Sequence, residues 1–190
     1  MLENSRNPAR MESACGCCAG FLHSQFGRRK FLRFAAGGLT AAALAPAGVM
    51  AASGNYEAML LSCIDPRFQA KVAKYTGECN LEGKYSQFTI AGAAIGVVAP
   101  AFKDWHKAFW DNLGASIQLH NIHKVIVVNH RDCGAAKIAY GADAVASPAA
   151  ETKTHREALA DFRGQLKARH PKLGVETGLI ALNGKVEVFT

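Results

Sequence analysis

Beyond its first fifty residues, this 190-residue chain lacks most features of a nucleic-acid surface, a membrane anchor or a cross-linked scaffold. No basic stripe is present. Of 22 Lys and Arg residues and 15 Asp and Glu residues, six and two fall within residues 1–51. That leaves 16 against 13 in the remaining 139 residues, so the formal charge of +7 belongs largely to the N-terminus. This near balance argues against a nucleic-acid partner. Nor is there a run of about 20 strongly apolar residues, the length that spans a bilayer. The nearest is "FAAGGLTAAALAPAGVMAA" at 34–52, which is diluted by Ala and Gly and broken by Pro46. Internal repeats and low-complexity tracts are absent after it. Paired cysteines are also missing. Three of the six lie in the N-terminal "CGCC" (Cys15, Cys17, Cys18), and only Cys63, Cys79 and Cys133 follow. An odd set of three is no disulfide framework.

What the N-terminus does have is order of a recognisable kind. A basic region, an apolar region and the small-residue ending "VMA" at 49–51 predict a secretory signal occupying residues 1–51. "GRRKFLR" at 27–33 sets Arg28 and Arg29 before Phe31 and Leu32, which resembles a twin-arginine export signal. Gly27 stands where Ser or Thr is usual. The expected address is the periplasm, with no stable membrane anchor after cleavage. Residues 52–190 then form one domain, long enough for a real core.

Within that domain "EAMLLSCI" at 57–64 is a near-continuous apolar run, which suits a strand buried on both faces. A second strand is expected in "YSQFTIAGAAIGVV" at 85–98, interrupted by glycines. A helix follows through 99–123, with Phe102, Trp105, Phe109, Leu113, Ile117 and Leu119 or His120 at helical spacing. "KVIVV" at 124–128 is β-branched and predicts a third buried strand. An amphipathic helix over 151–170 is stopped by Pro171, and Asn183-Gly184 between apolar runs signals a closing hairpin. Strands alternating with helices predict an α/β fold: a mostly parallel central sheet of about four strands plus an antiparallel edge, flanked by helices. Sites in such sheets form at the carboxyl ends of strands.

Cys63 lies at the carboxyl end of the first strand, and His130 and Cys133 lie just past that of the third. If those strands are parallel neighbours, the three side chains meet. Two thiolates and an imidazole suit zinc, and three protein ligands leave the open fourth position of a catalytic site. Asp65 and Arg67 follow Cys63 by two and four residues. His120 and His123, three apart, could bind a metal on a helix, but they sit at the helix end, where histidines commonly meet exposed carbonyls. Cys79 has no partner in its Gly-containing loop. Arg131 and Asp132 read as a turn at the pocket rim, and Trp105, Phe109 and Trp110 as core or subunit interface.

"CIDPR" at 63–67 followed by "HRDCGA" at 130–135 resembles the β-class carbonic anhydrases, whose signature is Cys-x-Asp-x-Arg and then His-x-x-Cys-Gly. The resemblance covers residues 57–190. It implies one zinc ion held by Cys63, His130 and Cys133, with Asp65 and Arg67 as a catalytic dyad. It further implies interconversion of CO2 and bicarbonate by attack of zinc-bound hydroxide, in a homodimer or a multiple of dimers. Zinc lowers the pKa of its water toward about 7. Asp65 could orient that water, while Arg67 offers the carboxylate a planar partner that keeps it off the metal. The family's Arg-Asn-Ala-Gly-Asn stretch reads "TIAGAA" at 89–94, so the polar support and dimer contacts of that stretch are not implied here. Two other readings share the scaffold: hydrolysis of COS or CS2, and a non-catalytic zinc sensor or interaction module.

Overall fold

The computed structural model describes residues 54–189. The expected signal segment, its cleavage site and its Arg28-Arg29 pair lie outside the described residues. The strands are β1 (Ala58–Ser62), β2 (Tyr85–Thr89), β3 (Lys124–His130), β4 (Gly174–Ile180) and β5 (Val186–Phe189). Between them run α1 (Gln69–Glu78), α2 (Ala94–Val98), α3 (Lys103–His120), α4 (Gly134–Tyr140) and α5 (Pro148–Arg169). Short 3-10 turns at Pro100–Phe102 and Asp143–Val145 precede α3 and α5.

The sheet order is β2-β1-β3-β4-β5. The first four strands are parallel, and β5 pairs antiparallel with β4. This is the expected architecture. All five residues of β1 are buried, as are six of seven in β3, because helices cover both faces. One face carries Met59, Leu61, Val125, Val127 and Leu179 against Phe109, Leu113, Leu159 and Phe162 of α3 and α5. On the other face Leu60, Ile126, Val128 and Ile180 pack against Phe68 and Val72, at the start of α1. The closing turn carries Gly184 at φ 89, and Asn183 Oδ1 accepts the Lys185 N–H. A left-handed residue there is what the Asn-Gly pair supplies.

Two expectations shift. The apolar run after β2 does not continue as strand: Gly92 (φ 80) and Ala93 (φ 49) turn the chain into α2. A Cβ at Gly92 would stand 3.0 Å from the Ala135 Cβ and 3.1 Å from the Ile95 Cβ, so a side chain there would crowd both. The stripe of α3 is also narrower than its spacing suggests. Phe109 and Leu113 are buried, but Trp105 stacks on Phe102 and stays 39% exposed, and Leu119 faces out. Trp110 packs against Phe109 and Phe162, in keeping with a core role.

Candidate metal centre and active site

Chain order places β2 on one side of β1 and β3 on the other, so the crevice between the β1 and β3 carboxyl ends is the topological switch point of the sheet. Cys63 follows β1 directly, His130 ends β3, and Cys133 precedes α4. All three are buried, at 7%, 2% and 4% exposure. One ligand atom from each lies within 4.8 Å of the other two. Among the described residues no other such cluster of His, Cys, Asp or Glu forms.

The imidazole shows whether this set suits a metal. His130 Nδ1 lies 2.8 Å from the Arg131 carbonyl oxygen, which can only accept, so Nδ1 carries the proton. Nε2 is left with its lone pair free, fully buried and without any hydrogen-bond partner. Phe68 lies against the ring, 4.2 Å between centroids. A buried orphan nitrogen beside two sulfurs is a costly arrangement that a soft or borderline cation would satisfy.

Protonation of these three side chains points the same way. The Cys63 thiol is pushed down, first by the Cys133 S–H and then by His130 and the Gly92 N–H, against the effect of burial. Cys133 is pushed strongly up by the neighbouring Cys63 sulfur and by burial. Burial works against the His130 imidazolium, but the neighbouring Cys63 sulfur and the Arg131 carbonyl outweigh it and raise its pKa. The trio thus holds negative charge on one sulfur and retains protons that a divalent cation would displace.

Asp65 and Arg67 form one unit. Arg67 Nη2 donates to Asp65 Oδ2 at 2.7 Å, and Nε to Oδ1 at 3.0 Å. The Arg67 backbone N–H also donates to Oδ1. The guanidinium holds the Asp65 carboxyl down at about 2, so it is ionised throughout the neutral range. Asp65 Oδ2 lies 4.0 Å from His130 Nε2. The carboxylate therefore stands within reach of a cation in the cluster, held by its guanidinium partner.

"TIAGAA" contributes to the site through its backbone. The Gly92 N–H donates to Cys63 Sγ at 3.2 Å, and the Ala94 N–H donates to Asn129 Oδ1 at 3.1 Å. Because Asn129 Oδ1 is the acceptor, its Nδ2 donates to His155 Nδ1, 3.0 Å away. His155, fully buried on α5, is therefore neutral. Burial, with the nearby charges of His130 and Arg131, lowers its pKa from 6.5 to about 4.

A pH effect follows from that shift. Between about 4 and 6.5 the unfolded chain binds a proton at His155 that the fold refuses, so stability is present above this window and lost as pH falls through it. Going from pH 7 to 5, this group alone should remove about 2 kcal/mol. Urea unfolding at the two pH values should show a smaller loss in His155→Gln than in the unaltered protein. Equal losses would refute the assignment.

The remaining candidates fall elsewhere. His120 ends α3 with its ring edge-on to Tyr56, and His123 meets Glu57 at 3.3 Å, so neither joins the site. Cys79 is exposed at the end of α1. Arg131 and Asp132, however, are not an idle turn. Asp132 accepts from Arg67, and Arg131 and the Asp132 N–H both bond Glu151. Glu151, Asn129 and His155 left no readable signal, since nothing in the sequence marks a polar residue as buried.

The fold and its cluster thus define an α/β protein with a thiolate–imidazole centre at the sheet switch point. The family described as "Putative carbonic anhydrase" matches residues 53–187, and the chain belongs to it. It is 31% identical over 129 residues to an uncharacterized protein of Rickettsia conorii, covering 68% of this chain and 69% of that one. A second, in Rickettsia bellii, is 31% identical over 129 residues and covers 68% and 79%. The fold matches the β-carbonic anhydrase CcaA with a TM-score of 0.52 at 14% identity, over 73% of this chain and 81% of that one. It matches the Coccomyxa β-carbonic anhydrase in complex with acetazolamide at 0.50 and 17% identity, over 74% of each.

Proposed function

We propose that this protein is a zinc-dependent carbonate dehydratase, a lyase interconverting CO2 and bicarbonate. Cys63 Sγ, His130 Nε2 and Cys133 Sγ would hold one Zn²⁺ per chain. The observation that carries the reading is the buried, unpartnered His130 Nε2 between two buried sulfurs, beside a carboxylate already clamped by arginine. Zinc there supplies a Lewis acid that acidifies coordinated water toward about 7. Asp65 accepts a hydrogen bond from the attacking oxygen and turns its lone pair toward the carbon. Arg67 holds Asp65 by its guanidinium and would keep the carboxylate from ligating the metal.

A cavity of about 610 Å³ opens onto Asp65 and Arg67 and is also lined by Arg131, Lys137, Ser147 and Leu182. Its cations Arg67, Arg131 and Lys137 are matched in number by Asp65, Asp132 and Glu151, and the two arginines are paired with those carboxylates. The test is stopped-flow CO2 hydration by zinc-loaded protein. A saturable rate above background that disappears with the metal supports the reading, and hydration at the background rate overturns it. COS and CS2 as parallel substrates would show whether the site prefers either.

We propose, further, that the protein acts in the periplasm after twin-arginine export, as a homodimer or a multiple of dimers. "GRRKFLR" at 27–33 supports the first point and the family resemblance the second. Arg28→Lys/Arg29→Lys keeps the charge but removes the paired arginines. The periplasmic fraction should contain the unaltered protein, sedimenting as a dimer or larger, and lack the double variant. Normal export of the variant, or a monomer, would overturn the respective point.

A further inference from the structure

The turn joining β3 to α4 carries more than two candidate ligands. Arg67 is grasped from two sides. Toward Asp65 it offers Nε and one N–H of Nη2. Toward Asp132 it offers Nη1, 2.7 Å from Oδ2, and Nη2, 3.0 Å from the backbone carbonyl. The guanidinium is 46% exposed, and an exposed pair with Asp65 alone would hold a long side chain only weakly. The second grip makes the arginine a bridge with one orientation.

Asp132 can supply that grip because of an unusual backbone. Its φ is 56, in the left-handed region, which aspartate enters more readily than most non-glycine residues. Among the conformations open to it, the partners of its N–H and carbonyl select this one. The partner of the N–H is Glu151, 9% exposed in the first turn of α5. Its Oε1 accepts the Asp132 N–H, and its Oε2 accepts from Arg131 Nη1 at 3.1 Å. Arg131 Nη2 in turn donates to Thr152 Oγ1 at 2.8 Å and to Glu187 Oε2 at 3.3 Å. One buried carboxylate thus pins two successive residues of the turn to α5 and, through Arg131, to β5.

We propose that Glu151 is a positioning residue for the Asp65–Arg67 pair, acting through Asp132. Glu151 holds the left-handed turn, Asp132 holds the outer side of the Arg67 guanidinium, and the inner side is thereby aimed at Asp65. The role rests on Asp65 and Arg67 being the working dyad. Its chemistry is specific to a carboxylate: the Asp132 N–H and the Arg131 guanidinium meet different oxygens of Glu151, so a glutamine in the same place would turn its NH2 donor toward one of those two donors.

Three variants separate this from a merely structural role. Glu151→Gln keeps shape and loses one acceptor. Asp132→Gly keeps the left-handed backbone and both backbone bonds but loses the side-chain grip. Asp132→Asn keeps an acceptor and tolerates the same φ. All three should hold about one zinc per chain. Glu151→Gln and Asp132→Gly should lose on the order of tenfold in kcat with KM little changed, and Asp132→Asn should lose less than Asp132→Gly.

A readout free of turnover is the side-chain Nε–H resonance of Arg67, assigned by its disappearance in Arg67→Lys. Its exchange with solvent should be at least about tenfold faster in Glu151→Gln and in Asp132→Gly than in unaltered protein. Unchanged Arg67 Nε–H exchange in both variants would overturn the proposal, whatever the activity. Faster exchange in an unaltered fold, for a protein that proves inactive on CO2, would uphold the positioning role while sinking the carbonate dehydratase reading.

Discussion

Cys133→Ala protein, purified from zinc-replete cells, should hold less than about a tenth of a zinc ion per chain and hydrate CO2 only at the background rate. The expectation rests on how little else the thiol does. Cys133 caps α4 with its backbone: its carbonyl accepts from the Ala136 and Lys137 N–H groups, and alanine keeps both. The side chain is small, so its removal costs packing of about 1 kcal/mol rather than the fold. What disappears is one of three donors. Cys63 and His130 remain as two ligands, too few for a closed or a catalytic zinc site. Circular dichroism should stay native-like while metal content collapses, which distinguishes loss of a ligand from unfolding. A folded Cys133→Ala variant with full zinc occupancy would remove Cys133 from the site. Because the metal is read directly, that result is independent of which substrate the protein prefers.

The parts of this site that could be read in advance share a property: they act through side chains at strand ends. β1 and β3 are short apolar runs because both their faces are covered, and that burial shows in composition. Cys63 and the His130-x-x-Cys133 step follow those runs immediately, so parallel neighbours necessarily bring them together. Other parts were silent for equally physical reasons. Helix α1 buries only Val72 and Thr76 along "QAKVAKYTGE", too faint a stripe to announce itself. Helix α4, "GAAKIAY", is short and packs through alanines, leaving Ile138 exposed. The "TIAGAA" stretch reaches the site through the Gly92 and Ala94 amides, and every residue except proline has one. Glu151 works because it is buried beside a left-handed turn, a fact of tertiary packing alone.

Arg67→Ala should keep about one zinc per chain yet lose nearly all turnover, by two to three orders of magnitude in kcat. The metal stays because Arg67 contributes no donor to the cluster. The rate falls because of what Asp65 becomes. In the intact pair the Asp65 carboxylate stands 4.0 Å from His130 Nε2, ionised and held by guanidinium bonds of 2.7 and 3.0 Å. Without those bonds the freed carboxylate would be drawn to a cation held by Cys63, His130 and Cys133, and electrostatics would favour ligation. Two thiolates and a neutral imidazole already cancel the charge of Zn²⁺, so a further carboxylate costs the metal more of its acidity. Asp65→Ala should also retain zinc, but lose the group that orients the attacking oxygen. The double variant then decides between partnership and coincidence. If the residues act as one device, removing Asp65 from Arg67→Ala removes the unwanted ligand, and the double variant should be no slower than the poorer single one. Cobalt-substituted protein gives a second view: its visible spectrum should change in Arg67→Ala, and return toward the unaltered spectrum in the double variant. Losses that simply multiply, or near-normal kcat in Arg67→Ala, would reduce "CIDPR" to one metal ligand followed by an ordinary turn.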